Sequence, residues 1–282
     1  MPIFVKQNEL KSHLKPFLDQ KKTIGFVPTM GALHPGHLSL MSESLKNNSV
    51  TVVSIFVNPT QFNNPEDLKK YPRTLEIDLE KIKGLNKDII VYAPSVEDIY
   101  EGNTNSKSFD YDGLEFQMEG KHRPGHFDGV GTIVKKLFEI VLPTNAYFGE
   151  KDFQQLQIVK KLVEKHQIPV NIIGCAIYRE PNGLAMSSRN ERLSAEERKK
   201  AAIIYKIIKE AKELFGTKSA KEVSKWVTNQ FKKQNLFTLE YFEIADEQTL
   251  LECTRKSKLK HYRGFIAVFV NNIRLIDNIS LK

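Results

Sequence analysis

Across residues 1–178, apolar runs alternate with stretches of helical spacing. Ile24 to Val27 is a short apolar run that reads as a buried strand. Val50 to Val57 is rich in β-branched residues and suits a central parallel strand buried on both faces. Asp88 to Ala93, Asn145 to Phe148 and Val170 to Tyr178 read as further strands. Between them, Leu38, Met41 and Leu45 share one helix face, as do Leu75, Leu79 and Ile82 within residues 74–83. His126 to Leu142 carries a stripe of Val130, Ile133, Val134, Leu137, Phe138 and Val141, and Pro143 stops it. Asp152 to His166 is one more helix. This alternation predicts an α/β fold, a doubly wound, Rossmann-like parallel sheet with helices on both faces. Ligands of such sheets gather at the carboxyl ends of the strands.

The rhythm changes at Arg179 to Gly183, which reads as a domain boundary. Ser194 to Phe215 has the spacing of one long helix, with Ser194 and Glu197 as a capping box and Gly216 as its end. Its apolar stripe is Ala201, Ile204, Tyr205, Ile208, Ala211 and Phe215. A second helix is expected over residues 219–233, with Val223, Trp226, Val227 and Phe231 inward. Leu239 to Ala245, Phe265 to Val270 and Ile273 to Ile276 read as strands, the last two joined at Asn271-Asn272. The expectation is therefore a domain over residues 1–180 and a second, smaller α+β domain over residues 181–282. Residues 103–125 are polar, contain three glycines and follow no long period. They read as either a mobile surface loop or a lid.

Composition narrows the class. A chain of 282 residues with 40% hydrophobic residues can bury a proper core. No run is long and apolar enough for a membrane span, and the N-terminus lacks the pattern of a secretory signal, so a cytoplasmic protein is expected. The two cysteines, Cys175 and Cys253, lie in no metal-ligand spacing and are expected as free thiols. The net charge of +8 suits anionic substrates as well as nucleic acid. The lysines are scattered over helical patterns, without a basic arm or interleaved aromatics, and dedicated nucleic-acid binding is not expected.

Candidate chemistry follows strand after strand. After the first buried run, Pro28 to His37 (PTMGALHPGH) leads through Gly31, Pro35 and Gly36 into a helix. Strand, tight turn and helix aim free backbone N–H groups at an anion. Gly36 has no Cβ, so a ligand can approach closely. His34 and His37 are placed to donate hydrogen bonds to phosphate oxygens as charge develops on them. Asn58 and Gln61, after the next strand, can bind a hydroxyl or carboxylate without imposing charge. Arg123, before the long helix, can pair with an anion. Phe148 to Gln155 repeats the strand-to-helix layout, with Lys151 supplying charge. Ser187, Ser188 and Arg189 beside the boundary form a plausible phosphate clamp. Each cluster alone has an ordinary reading as a turn, a cap or a solvated loop.

Together and in this order, the clusters resemble the pantothenate synthetase (pantoate–β-alanine ligase) family, within the superfamily whose signature is a histidine pair spaced like His34 and His37. The resemblance rests on Pro28–His37, Val57–Phe62 (VNPTQF), Tyr71–Thr74 (YPRT), Arg123–Val130 (RPGHFDGV), Phe148–Leu156 (FGEKDFQQL) and Gly183–Asn190 (GLAMSSRN). It is dense over the first 190 residues and looser beyond them. It implies a two-step ligase: ATP and (R)-pantoate give pantoyl adenylate and pyrophosphate, then β-alanine displaces AMP to give pantothenate, on the route to coenzyme A. It also implies roles. Met30, Gly31, Ala32, Leu33, His34, Pro35, Gly36 and His37 line the ATP site, with His37 as proton donor. Gly149, Glu150, Lys151 and Asp152 take the ribose and adenine side, with Tyr178 near adenine. Lys151, Ser187, Ser188 and Arg189 hold the phosphates, and Met186 belongs to the ATP site. Pro28, Met30, Gln61, Arg123 and Gln155 hold pantoate, and Gln61 also meets β-alanine. Mg²⁺ arrives with ATP, its protein ligands unassigned, and the chain forms a homodimer through its first domain. Residues 183–282 are expected to close over the first domain about residues 179–183, because acyl adenylates hydrolyse. The rival enzyme class, nucleotidyl transfer to a phosphate, needs a second phosphate site in place of neutral Gln61 and Gln155. A tRNA synthetase needs a tRNA-binding region, and a non-enzymatic RNA binder would show steeply salt-dependent affinity.

Overall fold

The structure is a computed structural model that describes residues 1–62 and 65–281. Its contacts divide the chain into two compact units: Met1–Glu150 with Gln154–Ala176, and Lys151–Phe153 with the chain from Ile177 onward.

The first unit is built on a six-stranded sheet of β1 (Ile3–Phe4), β2 (Ile24–Thr29), β3 (Val50–Ile55), β4 (Ile90–Tyr92), β5 (Asn145–Gly149) and β6 (Asn171–Cys175). All pairings are parallel, in the order β1-β4-β3-β2-β5-β6. Strand order therefore reverses beside β2: the chain builds outward through β3 and β4, then returns to place β5 on the other side of β2. In doubly wound sheets this switch point opens the ligand crevice at the strands' carboxyl ends. The central strands are apolar on both faces because helices cover both: Phe26, Val27, Val52 and Val53 are all fully buried. Gly25 lets the helix Pro35–Asn47 come close, since a Cβ there would lie 2.1 Å from Ser44 Oγ. The helix His126–Val141 buries the expected stripe. Gln7–Asp19 adds a helix before β2, with Pro16 tolerated in its last turn.

The stretch 103–125, expected as either a mobile surface loop or a lid, contains local structure and buried anchors that its composition did not suggest. Leu114–Phe116 and Met118–His122 are short helical turns, and Tyr111 is fully buried, its hydroxyl donating to Phe127 O at 3.0 Å. Buried Gln154 is the staple. Its Nε2 donates to Leu114 O and Gln117 O, both at 2.8 Å, and its Oε1 accepts Glu119 N–H at 2.9 Å. One amide thus satisfies three backbone groups that irregular chain would otherwise leave unpaired.

The second unit carries an antiparallel sheet, β7 (Phe237–Asp246), β8 (Tyr262–Val270) and β9 (Ile273–Ser280), in that order. Asn271, in the left-handed region at φ 51°, makes the expected turn between β8 and β9. The single helix expected over residues 194–215 is two helices, Ala195–Lys200 and Ile203–Phe215. Ile204 N–H bonds Ala201 O at 3.1 Å, so the junction is a tighter turn than the α-helix on either side. Ser194 and Glu197 do form the capping box, as do Ser219 and Glu222 ahead of Ala220–Phe231. Ile207 is buried, whereas Tyr205 is only partly so and holds Arg179 over its ring at 3.7 Å.

Candidate active site

The carboxyl end of β2 runs into the loop Met30–Leu33 and then the helix Pro35–Asn47, which begins with Pro35 at its first position and His34 as its N-cap. Thr29 fixes the strand end: its Oγ1 donates to Ser54 O at 2.8 Å and accepts Gly31 N–H at 3.3 Å. His34 and His37 lie side by side, ring centroids 4.0 Å apart. His34 N–H donates to His37 Nδ1 at 3.3 Å, so a neutral His37 ring carries its proton on Nε2. No acidic residue occupies the helix's first turn, so the positive end of its dipole faces the two histidines. Two imidazoles therefore share a helix end suited to an anion.

At the end of β3, Asn58 organises a buried polar knot. Its Nδ2 donates to Gln61 Oε1 at 3.1 Å and to Gly129 O at 3.2 Å. Its Oδ1 accepts the Tyr100 hydroxyl at 2.6 Å and the Thr60 hydroxyl at 3.1 Å. Burial raises the Tyr100 hydroxyl's pKa, against a lowering by its bonds to Thr60 and Asn58, and the group stays a neutral donor. Since the Gln61 carbonyl oxygen is taken by Asn58, its Nε2 is the end presented as a donor, 2.8 Å from Met30 Sδ. The Gln61 backbone carbonyl accepts His126 Nδ1–H at 2.8 Å and Arg123 Nη2–H at 3.4 Å. Met30, Gln61 and Arg123 are thus brought together. Gly129 makes this possible: a Cβ there would lie 2.3 Å from Thr60 O and 2.8 Å from Gln61 Cα.

On the other side of β2, β5 ends at Gly149 and passes through the 3-10 turn Glu150–Asp152 into the helix Phe153–Lys165, which carries a half-buried Gln155. Cys175, ending β6, is a quiet thiol, pushed by burial from its ordinary 9.0 up to about 11. In the second unit, Lys151 is half-buried and its carbonyl accepts Asn278 Nδ2–H at 2.9 Å. Ser187 caps the 3-10 turn Ser188–Arg192, its Oγ accepting Arg189 N–H at 3.3 Å. Fully buried Asn190 anchors that turn by donating to Glu180 Oε1 at 2.7 Å and Ala185 O at 3.1 Å. Tyr178 is 44% exposed, and its carbonyl accepts Met186 N–H at 2.9 Å.

Sequence reasoning passed over Asp78, Tyr100, His126 and Gln154, which bind backbone or side chains of the candidate residues and their loops. A buried polar residue inside an apolar helix pattern, as His126 and Asp78 are, was the signal available for them.

A family model described as pantoate-beta-alanine ligase matches residues 2–280. A pantothenate synthetase from Flavobacterium psychrophilum is 77% identical over 282 residues, spanning 100% of both chains. One from Christiangramia forsetii is 54% identical over 282 residues, again 100% of both. Among solved structures, pantothenate synthetase from Thermus thermophilus superimposes with a TM-score of 0.91 at 38% identity, covering 100% of this chain and 99% of that one. Pantoate-beta-alanine ligase from Francisella tularensis, crystallised with beta-gamma ATP and beta-alanine, gives 0.80 at 35% identity, covering 100% and 98%.

Proposed function

This chain belongs to the pantoate–β-alanine ligase family, and from that premise we propose a residue-level account of how it joins pantoate to β-alanine. The carboxylate of (R)-pantoate attacks the α-phosphorus of ATP and pyrophosphate leaves. The amine of β-alanine then attacks the acyl carbon of pantoyl adenylate, and AMP leaves with the electron pair of the broken C–O bond. A carboxylate is a poor electrophile, and adenylation supplies the leaving group. The protein's tasks are positioning and charge stabilisation.

The observation that carries this account is the paired imidazoles at a helix N-terminus with no acidic residue in its first turn, directly after β2 and beside the switch point of the sheet. We assign His34 and His37 to the phosphates, His37 as proton donor through Nε2, and Met30 to His37 to the nucleotide. Gln61, with its amide nitrogen presented, takes the pantoate hydroxyl or carboxylate and meets the incoming amine. Pro28, Met30, Arg123 and Gln155 complete the pantoate contacts. Lys151, Ser187, Ser188 and Arg189 take the phosphates, Gly149, Glu150, Asp152 and Tyr178 the nucleoside, and Met186 is assigned to the ATP site. Among the described residues no group of three or more His, Cys, Asp or Glu can hold a cation. Mg²⁺ would arrive as the counter-ion of the ATP phosphates. Residues 181–282 are proposed as a lid domain that keeps water from the acyl adenylate. Assembly as a homodimer is proposed from the family resemblance, and a cytoplasmic site of action from the sequence pattern of the N-terminus. No described helix is long and apolar enough to cross a membrane.

The test is release of pyrophosphate and AMP from Mg-ATP with pantoate alone and with pantoate plus β-alanine. Pyrophosphate that requires pantoate, and AMP turnover that requires both, are expected. Nucleotide turnover indifferent to both would remove the account. A second expectation concerns Gly129→Ala. The new methyl meets backbone, which cannot swing away, so it displaces Thr60 and Gln61. Overpacking of this kind costs about 1–3 kcal/mol. A lower melting temperature together with a raised KM for pantoate is expected; a normal KM would detach Gln61 from pantoate.

A further inference from the structure

The loop Met30–Leu33, which delivers the two histidines, is held from a helix that carries none of the residues assigned above. Gly31 and Ala32 both lie in the left-handed region, at φ 80° and 49°. For alanine that conformation is strained, because Cβ comes too close to the following carbonyl oxygen. The compensation comes from Leu75–Leu85. Asp78 on this helix is fully buried. Its Oδ2 accepts Ala32 N–H at 2.9 Å and its Oδ1 accepts Leu33 N–H at 2.7 Å. The Thr74 hydroxyl adds a third bond to Oδ2 at 3.2 Å. One helical turn on, Lys81 Nζ donates to Leu33 O at 2.6 Å. Carboxylate and ammonium therefore grip successive peptide groups of the loop with charge-assisted hydrogen bonds. Gly31 fits against the same carboxylate, since a Cβ there would stand 3.1 Å from Oδ2.

The next residue after this grip is His34, whose N–H holds His37 Nδ1 and whose carbonyl accepts His37 N–H at 2.8 Å. The chain of contacts runs from Asp78 and Lys81, through two peptide units, to both imidazoles. A fully buried carboxylate is costly unless its oxygens are satisfied, and here three donors converge on it. The helix also has ordinary apolar anchors, with Ile82 fully buried and Leu79 and Leu85 packed beside it. We propose that Asp78 and Lys81 are positioning residues, which set the loop so that His34 and His37 meet the nucleotide phosphates in register. The inference rests on the ligase account for the identity of those phosphates. The holding of the loop itself does not.

The experiment uses the full chain as wild type, Asp78→Asn and Lys81→Met. Asparagine keeps the volume of Asp78 but has a single acceptor oxygen, so one of the two loop amides loses its partner. Lys81 is exposed, and its replacement leaves the helix packing intact. Three readouts are taken: steady-state pyrophosphate release, melting temperature, and the imidazole ¹⁵N resonances of His34 and His37. Misplacement of a reacting group by about 1 Å costs on the order of 10²-fold in rate. Asp78→Asn is expected to lose about that much in kcat, with KM for ATP changed by less than ~3-fold, since ground-state binding spreads over many other contacts. Lys81→Met is expected to lose about 10-fold with an unchanged melting temperature. Both should shift the histidine resonances. If Asp78→Asn fails to fold, Lys81→Met decides. Wild-type kcat with unshifted resonances in the folded variants overturns the proposal. If the wild type itself releases no pantoate-dependent pyrophosphate, the ligase account has failed. The resonances then still decide whether Asp78 and Lys81 position the histidines.

Discussion

Replacing His37 by alanine lowers the rate of pantoate-dependent pyrophosphate release by about 10²–10³-fold, the typical loss when one donor to developing charge is removed. The side chain packs against His34 and holds the His34 N–H, while the helix behind it is anchored elsewhere, by Leu40, Met41 and Ser44. The melting temperature should therefore fall by far less than the activity. Measuring kcat and KM for ATP separately identifies where the loss falls. A drop in kcat at nearly constant KM marks an interaction made in the transition state. A rate near that of the wild type would remove His37 from the chemistry.

Arg179→Met is expected to produce the largest loss of stability. The guanidinium donates to Asp277 through Nη1 at 2.6 Å and Nη2 at 2.9 Å, stacks on Tyr205 and donates to Gly183 O at 3.1 Å. Asp277 is almost fully buried on β9. Removing one partner of a buried pair leaves an uncompensated charge and costs about 3–5 kcal/mol. Thermal unfolding should show a large fall in melting temperature, and adding Asp277→Leu should recover most of it. Recovery stays incomplete because Asp277 Oδ1 also accepts Asn278 N–H at 2.8 Å. The pH dependence has a definite sign. Burial raises the Asp277 carboxyl's pKa and Arg179 pulls it down. Without Arg179 the folded pKa lies further above the unfolded one. The single variant's deficit therefore grows as pH rises from the wild type's folded value to the variant's higher one, is constant above that, and shrinks as pH falls back through the same window. A deficit independent of pH would show that Asp277 is not the group left stranded.

The elements most legible in the sequence were those with one strong period. The β-branched run at Val50, the stripe of His126–Val141 and the capping box of Ser194 and Glu197 all needed only local chemistry. The break at Ala201-Ala202 was invisible because both residues favour a helix, and the tighter turn there is a matter of packing. The segment 103–125 read as loose for the opposite reason. Several of its backbone groups bond distant side chains, those of Thr132, Asp128 and Gln154, and no local pattern announces that.

The candidate site divides the same way. His34, His37, Gln61, Lys151 and Ser187 to Arg189 stood out because each follows a strand end or boundary, and a charged or polar residue there has few structural duties. Along one chain, sequence alone determined which strand ends carry clusters of polar residues and that a parallel sheet carries them, because hydrophobic period and turn residues are local properties. The tertiary structure alone decided that β2 lies between β3 and β5, that Asn58 turns the Gln61 amide outward, and that Asp78 reaches the loop before His34. Those contacts join residues far apart in sequence, and their energy depends on distance and burial, which exist only once the chain has folded.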